Sequence, residues 1–352
     1  MKLLIIENTD HYKIISNLYK LFSSKFEVKI LIKNKLKKFI SNVPQTCFIH
    51  FFLPNTFIFL LAVFKAPYFD KILISSGTEY KKGISGFFYS GGLFLLIKLF
   101  PKKVILNIRN IDKYLKTDES SLNSYLRIKL AENAEFITFE TKSLAEKFKQ
   151  KYKGKCKNIG ILYVYYSDYY ENTLNYTTNN EVFTIGILGY VNPLRRDYEM
   201  LYSAMKNLKK EVKIIFLGKC SKKYFTQVSN IFESKFELQI SDKYLSDNEF
   251  YEYGKKCDIL VAPLKQITNI GIYGQNKGTG ALGDAISLNK NLIIPLFADT
   301  EKEFCSFSEY YENTTQLSEL IEKYMNIAET GQKFCNFEEY SCEKVLEKFI
   351  TI

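Results

Sequence analysis

Two strand-to-helix turns constrain this chain more than any other feature of its sequence. The first follows the apolar run Thr184–Gly189 and carries Arg195 and Arg196, and the second, Lys277–Ile286, contains Gly278-Thr279-Gly280. A strand that ends in small residues and opens a helix leaves unpaired backbone N–H groups at one spot, where the helix dipole favours negative charge. We therefore expect a site for a phosphorylated ligand.

Short apolar runs alternate with helical patterns throughout the chain, which predicts α/β domains with parallel sheets. In the first half we predict strands at 3–6, 28–32, 47–52, 72–74, 104–108, 136–139 and 158–164, with helices at 11–23, 56–66, 84–100, 119–132 and 142–150. In the second half we predict strands at 182–189, 212–218, 236–240, 258–263 and 291–297, with helices at 194–208, 222–233, 246–256, 281–289 and 315–329.

The alternation is interrupted once, by a polar and turn-prone segment. We predict a first domain over 1–166, a linker over 167–181 and a second domain over 182–330. The remaining segment, 331–352, places Cys342, Val345, Leu346 and Phe349 at helical spacing, which predicts an amphipathic terminal helix that docks on a domain.

Composition bounds the class of protein. A chain of 352 residues with 46% hydrophobic content is long enough for two full cores. Seven cysteines without C-x-x-C spacing and two histidines give no support to a zinc site or a disulfide framework, and favour a reducing cytoplasm. We expect no secretion signal, and the apolar stretch 51–64 falls short of the roughly 20 residues of a spanning helix.

Charge is divided unevenly between the halves of the chain. Residues 1–166 hold 28 Lys and Arg against 12 Asp and Glu, whereas 167–352 hold 21 against 26. Lysines recur at every second position from Lys147 to Lys157, and an apolar helix beginning near Gly83 ends in basic residues. The lysines are explained equally well by attraction to an anionic membrane surface and by a solvated face. The apolar helix is explained equally well by contact with a membrane interface and by packing in the core.

The order of the motifs resembles the nucleotide-sugar glycosyltransferases of GT-B fold, most closely the large retaining family, glycosyltransferase family 4. The resemblance rests on Ile185–Tyr190, Tyr244–Phe250 and Cys257–Pro263, and it is best over 182–297. It implies two doubly wound Rossmann-like domains facing across a cleft, the first binding the acceptor and the second the donor. Pro263 then precedes the donor loop, Lys265–Gly280.

The resemblance also implies donor-binding residues. An Arg or Lys pair grips the donor diphosphate in that family. Arg196 matches its second member, while Tyr190 stands near the place of the first, so that Arg195 is a candidate substitute. The family's two acidic residues correspond to Asn276 and Asp284, and Asp284 is expected to bind the ribose. Asn276 cannot act as a carboxylate toward the sugar, which leaves the stereochemical outcome open.

Glycosyl transfer builds negative charge on the leaving phosphate, and the sequence offers donors for it. They are Arg195, Arg196, Lys265, Lys277 and the backbone N–H groups of Gly278, Thr279, Gly280 and Ala281. No Asp-x-Asp pair follows a strand, so we expect no metal ion and no cofactor besides the nucleotide-sugar co-substrate. The same residues are also consistent with an exposed helix start and a flexible turn.

Acceptor activation requires a general base at the carboxyl ends of the first sheet if the enzyme inverts configuration. Asp112 and then Asp10 are the candidates, although an Asp at a helix start is also a common N-cap. Both interpretations stay open on the sequence.

We expect a cytoplasmic glycosyltransferase, peripheral on the inner face of the membrane, that acts on a surface-glycan or lipid-linked acceptor. The alternatives are a nucleotide-sugar epimerase, which needs carboxylates around the sugar, and a noncatalytic partner subunit of the same fold. Nucleic-acid binding lacks any reader motif, and we do not expect it.

Overall fold

The chain folds into two compact α/β units in the computed structural model. It describes residues 1–7, 12–37, 40, 42–49, 54, 57–76, 84–111, 122–152, 154, 156, 158–167, 182–232, 235–268, 271–275, 277–330 and 336–350. The first unit comprises Met1–Val164 with Val345–Ile352, and the second comprises Tyr165–Lys344. The predicted linker lies outside the described residues from 168 to 181.

Six parallel strands form the sheet of the first unit, in the order β2-β1-β3-β4-β5-β6. They are β1 Lys2–Glu7, β2 Glu27–Ile32, β3 Lys71–Ser76, β4 Val104–Asn107, β5 Phe136–Phe139 and β6 Ile159–Ile161. The helices are α1 Tyr12–Ser23, α2 Asn34–Lys37, α3 Ile58–Lys65, α4 Ile84–Leu99, α5 Leu122–Asn133 and α6 Lys142–Lys151. Consecutive residues Leu3, Leu4, Ile5 and Ile6 are all fully buried, as expected of a parallel strand covered on both faces.

The second unit has a parallel six-stranded sheet in the order β14-β13-β10-β7-β8-β9. Its strands are β7 Phe183–Leu188, β8 Val212–Lys219, β9 Glu237–Ser241, β10 Ile259–Val261, β13 Leu292–Pro295 and β14 Ser308–Tyr311, and β11 Ile267–Thr268 pairs separately with β12 Gly271–Ile272. Its helices are α7 Tyr198–Met205, α8 Lys222–Phe232, α9 Asp247–Lys255, α10 Gly280–Leu288 and α11 Thr314–Thr330, and the chain closes with α12 Cys342–Ile350.

The strand orders place a switch point in each sheet. Renumbered within its unit, the second sheet reads 6-5-4-1-2-3, the dinucleotide-binding arrangement, with its reversal between β7 and β10. The first sheet reverses between β1 and β3. Ligands of open α/β sheets bind outside the carboxyl ends of the strands at such a point, so these two strand pairs are where sites are expected.

One predicted strand is wrong over its described residues, and two strand regions were missed. In place of a strand at 47–52, Gln45–Cys47 is a turn of 3-10 helix, because the N–H groups of Cys47 and Phe48 bond locally to Pro44 and Gln45 carbonyls. Of the described residues 47–49, Phe48 alone then bridges to Ile30 in β2. The unpredicted strands are β14, whose Ser-Glu-Tyr-Tyr sequence is half polar, and the short β11–β12 hairpin.

The terminal helix α12 returns to the first unit. The ring of Phe349 lies 4.6 Å from that of Phe22 in α1, in an edge-to-face arrangement. Lys348 Nζ lies 5.4 Å from the centroid of the Tyr163 ring. Docking of the amphipathic helix therefore rests on aromatic contacts, which stabilise beyond the area that they bury.

Candidate anion-binding site in the second unit

The candidate site begins where β7 ends. Gly189 follows Leu188 with a φ of +84°, a left-handed conformation that glycine adopts without strain. A Cβ at Gly189 would collide with the guanidinium of Arg196. A Cβ at Gly218 in β8 would in turn come within 3.0 Å of the Tyr190 nitrogen and closer still to the Gly189 carbonyl. The two glycines thus allow the turn after β7 to pack against its neighbouring strand and against Arg196.

Helix α7 begins later than the sequence pattern predicts. The N–H groups of Arg195 and Arg196 bond to the Asn192 carbonyl in a turn, and Asp197 caps the helix by accepting a hydrogen bond from the Met200 N–H at 3.1 Å. Arg195 and Arg196 therefore lie in the turn that precedes the helix. The interpretation of both as exposed helix-start residues is wrong for Arg196, which is 5% exposed.

The turn that contains Arg195 and Arg196, named here the arginine turn, is hydrogen-bonded to the segment after β10, across the switch point of the sheet. The Asp197 N–H donates to the Pro263 carbonyl at 2.8 Å, and the Lys265 N–H donates to the Arg195 carbonyl at 3.1 Å. Arg196 and Leu264 form an antiparallel bridge. This pairing holds the first residue of the donor loop, Lys265, next to both arginines, while the side chain of Lys265 itself is exposed.

Arg196 is a structural residue of this turn. Its Nε donates to the Leu188 carbonyl at 3.3 Å and its Nη1 to the Arg195 carbonyl at 3.4 Å. The guanidinium therefore joins the end of β7 to the turn, and its positive charge acts on the nearby Tyr273.

Tyr273 is the residue that the sequence did not reveal. It follows the β11–β12 hairpin, is 2% exposed, and accepts a 2.7 Å hydrogen bond from Arg195 Nη2 at its hydroxyl. Lys277 Nζ lies 5.6 Å from the centroid of its ring. Three cationic side chains, Arg195, Arg196 and Lys277, thus surround one buried phenol. Its only sequence signal is an aromatic residue between the glycines of Gly271-Ile272-Tyr273-Gly274.

The direction in which the pKa of Tyr273 is shifted shows the sign of the electrostatic potential at its hydroxyl. Burial alone would raise the pKa of this phenol, yet the positive charge of Arg196, the hydrogen bond from Arg195 and the charge of Lys277 together lower it below the ordinary value of 10.0. Positive potential therefore outweighs desolvation at the phenolic oxygen. A site that favours a buried phenolate also favours other anions with oxygen atoms in that position.

The donor loop leads directly from this cluster to the N-terminus of α10. The Gly274 N–H donates to the Lys277 carbonyl at 3.1 Å, and Tyr273 forms a bridge with Lys277. Thr279 caps the helix by accepting a 3.3 Å hydrogen bond from the Ala281 N–H. Gly278, Thr279 and Gly280 are therefore the lead-in, cap and first residue of a helix, with the anion-favouring dipole end that this implies.

Of the two residues that match the acidic pair of the family, the structure describes only one. Asp284 lies in α10, one turn beyond the cap, and is partly exposed. Asn276 lies outside the described residues. Tyr165 packs over the start of the same helix, since a Cβ at Gly283 would collide with its ring and the nearest atom to one at Gly280 is the Tyr165 hydroxyl, 4.0 Å away.

The acceptor-side candidates Asp10 and Asp112 both lie outside the described residues. At the switch point of the first sheet, the fully buried Glu7 accepts a 2.6 Å hydrogen bond from the Ser75 hydroxyl. Beyond the carboxyl ends of β4 and β5, Arg109 Nε and Glu140 Oε1 form an ion pair at 2.5 Å. Fully or partly buried polar side chains therefore lie at the carboxyl ends of these strands.

No group of three or more His, Cys, Asp or Glu among the described residues is arranged to hold a metal ion. Over those same ranges, no helix is both long and apolar enough to cross a membrane.

Comparison with known proteins identifies the fold. No family model matches the sequence, and no curated protein matches it. Among solved structures, HepE of Anabaena in complex with UDP and glucose superposes with a TM-score of 0.64 at 11% identity, covering 100% of this chain and 98% of that one. A glycosyltransferase from Rickettsia africae gives 0.58 at 12% identity over 99% and 93% of the two chains. The UDP-GlcNAc 2-epimerase of Neisseria meningitidis bound to UDP-GlcNAc gives 0.58 at 13% identity over 100% of both.

These structures are GT-B proteins, and this chain has the same fold. Two α/β units, each with a six-stranded parallel sheet, define that class here. At 11–13% identity the likeness establishes the fold, and the chemistry has to be argued from the residues.

Proposed function

We propose that this chain is a glycosyltransferase that moves a sugar from a nucleotide-diphosphate donor to a surface-glycan or lipid-linked acceptor. The observation that carries the proposal is the cluster of Arg195, Arg196 and Lys277 around Tyr273, at the switch point of the second sheet and next to the start of α10. Two superposable proteins are described with UDP and glucose and with UDP-GlcNAc, which supports a nucleotide-sugar ligand for the same fold.

The proposed role of the cluster is to stabilise the leaving group. As the bond to the sugar breaks, negative charge builds on the diphosphate, and fixed donors in a buried site stabilise that charge more than water does. Arg195 is the proposed direct contact, because its side chain is partly exposed whereas that of Arg196 is buried, and because its Nε has no hydrogen-bond partner among the described residues. Lys277 and the backbone N–H groups of Gly278, Thr279 and Gly280 are the other proposed donors, the Ala281 N–H being bonded to the Thr279 cap, and Lys265 lies on the same loop.

Arg196 has a supporting part in this proposal. Its guanidinium is already engaged by the Leu188 and Arg195 carbonyls, so it contributes charge and holds Arg195 in place. This reverses the emphasis of the sequence resemblance, in which Arg196 matches the diphosphate-gripping residue. Asp284 is proposed to accept hydrogen bonds from the ribose, and a base on the acceptor side, Asp112 or Asp10, stays a proposal from sequence.

We further propose that transfer needs no divalent metal and no cofactor besides the nucleotide sugar. The positive charge of the arginine turn and of Lys277 takes the part that a metal ion plays elsewhere. Turnover should therefore survive EDTA. Loss of activity on chelation, with recovery on adding manganese, would contradict this part of the proposal.

The proposed location is cytoplasmic, with the first unit held on the inner face of an anionic membrane where a lipid-linked acceptor would be presented. The net positive charge of residues 1–166 supports this placement. The second unit, whose residues carry a net negative charge, is not proposed to contact the membrane.

Two alternatives remain distinct in chemistry. An epimerase would convert a UDP-sugar without any acceptor, and the superposition on a UDP-GlcNAc 2-epimerase favours this as the second candidate. A noncatalytic subunit would bind a partner and leave a nucleotide sugar unchanged. Incubation with a UDP-sugar, with and without acceptor, separates the three by its products.

The first test is a thermal-shift panel of nucleoside diphosphates with their nucleosides as controls. A ligand at 100 times its dissociation constant adds about 2.7 kcal/mol of apparent stability. We expect at least one diphosphate to raise the melting temperature while its nucleoside has little effect. The absence of a shift with every diphosphate would contradict the proposed donor site.

A further inference from the structure

Helices α3 and α4 form an apolar pair in the first unit. One side of each helix is buried: Ile58, Phe59 and Ala62 in α3, and Leu93, Leu96 and Ile97 in α4. The sides turned away from the core also carry large apolar residues, Phe64 in α3 and Leu95 and Leu99 in α4. Apolar residues on the solvent side of neighbouring helices form a surface patch that water solvates poorly.

The contacts between the two helices show which exposed residues are neighbours. Phe57 and Phe88 lie 5.0 Å apart between ring centroids, and a Cβ at Gly92 would come within 2.7 Å of the Leu60 nitrogen. The two helices therefore run parallel, with Phe57 at the start of α3 beside Phe88 of α4, and Leu60 beside Gly92. This parallel register brings Phe64 level with Leu95.

The same register continues past the ends of the helices. Lys103 Nζ donates to the Ala66 carbonyl at 3.2 Å and to the Phe69 carbonyl at 2.6 Å, which ties the segment after α3 to the segment after α4. Leu99 follows Leu95 by four residues on the same face of α4, and Tyr68 follows Phe64 by four residues in the adjoining segment. We name the four residues Phe64, Tyr68, Leu95 and Leu99 the apolar strip, and they are 75%, 70%, 41% and 58% exposed.

The charged residues of α3, of α4 and of the turns directly after them are all basic, and Asp70 is the first acidic residue beyond α3. Lys65, Lys98 and Lys102 are exposed beside it, and residues 57–69 and 84–104 contain no Asp or Glu. Exposed aromatic and aliphatic side chains with basic neighbours suit the interface of an anionic bilayer. A second copy of this chain fits less well, because it would bring the same lysines against one another.

We propose that the apolar strip is the surface by which this protein docks on an anionic lipid bilayer. Phe64, Tyr68, Leu95 and Leu99 enter the headgroup region while the three lysines bind lipid phosphates. This deepens the membrane association of the proposed function, and it moves the contact from the lysines at 147–157 to a different part of the first unit.

The lysine run is a weaker surface in the structure. Lys147 and Lys149 lie on α6, where residues two apart point to nearly opposite sides of the helix. Lys149 forms an ion pair with Glu146 at 2.8 Å. Lys153, Lys155 and Lys157 lie outside the described residues. The described lysines therefore do not form one basic face.

The experiment is sedimentation of the full chain with two kinds of vesicle, phosphatidylcholine alone and phosphatidylcholine mixed with phosphatidylglycerol. The Phe64→Ser/Leu99→Ser variant should lose about tenfold or more of the partition coefficient toward anionic vesicles. The Lys65→Glu/Lys102→Glu variant should also bind less, and its residual binding should depend less on salt. The charge-matched Lys149→Glu/Lys151→Glu variant should bind as the wild type does.

Other outcomes would overturn the assignment. Loss of binding in the Lys149→Glu/Lys151→Glu variant, with binding retained when the strip is changed, would place the contact on α6. Failure of the wild type to sediment with anionic vesicles at low salt would show that the protein does not dock on an anionic membrane. A drop from dimer to monomer in light scattering, on changing the strip, would identify a self-association surface instead. Nucleoside diphosphate binding is measured in parallel for every variant and should stay unchanged, so a failure of docking and a failure of the donor site are distinguishable.

Discussion

Arg195 Nη2 and the hydroxyl of Tyr273 are joined by a 2.7 Å hydrogen bond between residues 78 positions apart in the chain. The bond links the turn after β7 to the loop after β10, the two strands between which the second sheet reverses its order. Because the charges of Arg196 and Lys277 also act on this phenol, the hydrogen bond marks a buried position of positive potential at the switch point of the sheet, where open α/β sheets bind ligands.

Arg196→Ala should destabilise the protein as well as weaken diphosphate binding. The substitution removes hydrogen bonds to the Leu188 and Arg195 carbonyls within a buried turn, a loss of about 1–3 kcal/mol. Chemical denaturation measures this, with Lys209→Ala at an exposed position of the same unit as the control. Unchanged stability in Arg196→Ala would contradict its structural role and return it to the role of a direct phosphate contact.

Nucleoside diphosphate affinity should fall as the pH is raised toward about 10, the ordinary pKa of a tyrosine. Burial would raise the pKa of Tyr273, but the charges of Arg196, Arg195 and Lys277 lower it overall, so the phenol ionises earlier and the phenolate repels the ligand. Calorimetry over this range should show the fall in the wild type and its loss in Tyr273→Phe. An equal fall in both proteins would rule out Tyr273 as its cause.

The lowered pKa of Tyr273 also makes the stability of the folded protein depend on pH. Its contribution is absent below the folded-state pKa, grows as the pH rises through that value, and is complete above the pKa of the unfolded chain. The stability difference between the wild type and Tyr273→Phe should therefore change in favour of the wild type at alkaline pH. Denaturation curves that move in parallel at every pH would contradict this.

Asp284→Asn should raise the donor Michaelis constant and leave turnover at saturating donor nearly unchanged. The residue lies one turn into α10, beyond the cap at Thr279, and its proposed role is to bind the ribose and not to break the bond to the sugar. Steady-state kinetics separates the two constants. Collapse of turnover with unchanged donor affinity would show that Asp284 acts in the chemical step.

Much of this fold was predictable from the sequence, because its strands are long apolar runs and its caps use ordinary residues. The β7 run at 183–188 and the capping box of Ser246 and Glu249 at the start of α9 are examples. The segment after Pro44 was not predictable in this way, since Gln45–Cys47 forms a local 3-10 turn and, among the described residues up to 49, Phe48 alone bridges to the sheet.

The candidate site was predictable in its backbone and less so in its side chains. Strand-to-helix turns with Arg195 and Thr279 could be located by local pattern. The burial of Arg196 depends on the close approach that Gly189 permits, and the position of Tyr273 depends on pairing between distant segments. Neither relationship has a period or a spacing that a sequence displays.

The most direct test of the donor site is calorimetric titration with the nucleoside diphosphate that gives the largest thermal shift, and with its nucleoside. Arg195→Ala should weaken binding of the diphosphate by about ten- to hundredfold, since a charge-assisted hydrogen bond is worth about 1.5–3 kcal/mol. Nucleoside affinity should stay the same, and Lys209→Ala should change neither. Equal losses for diphosphate and nucleoside, or undiminished diphosphate binding in Arg195→Ala, would contradict the assignment of this cluster as the diphosphate site.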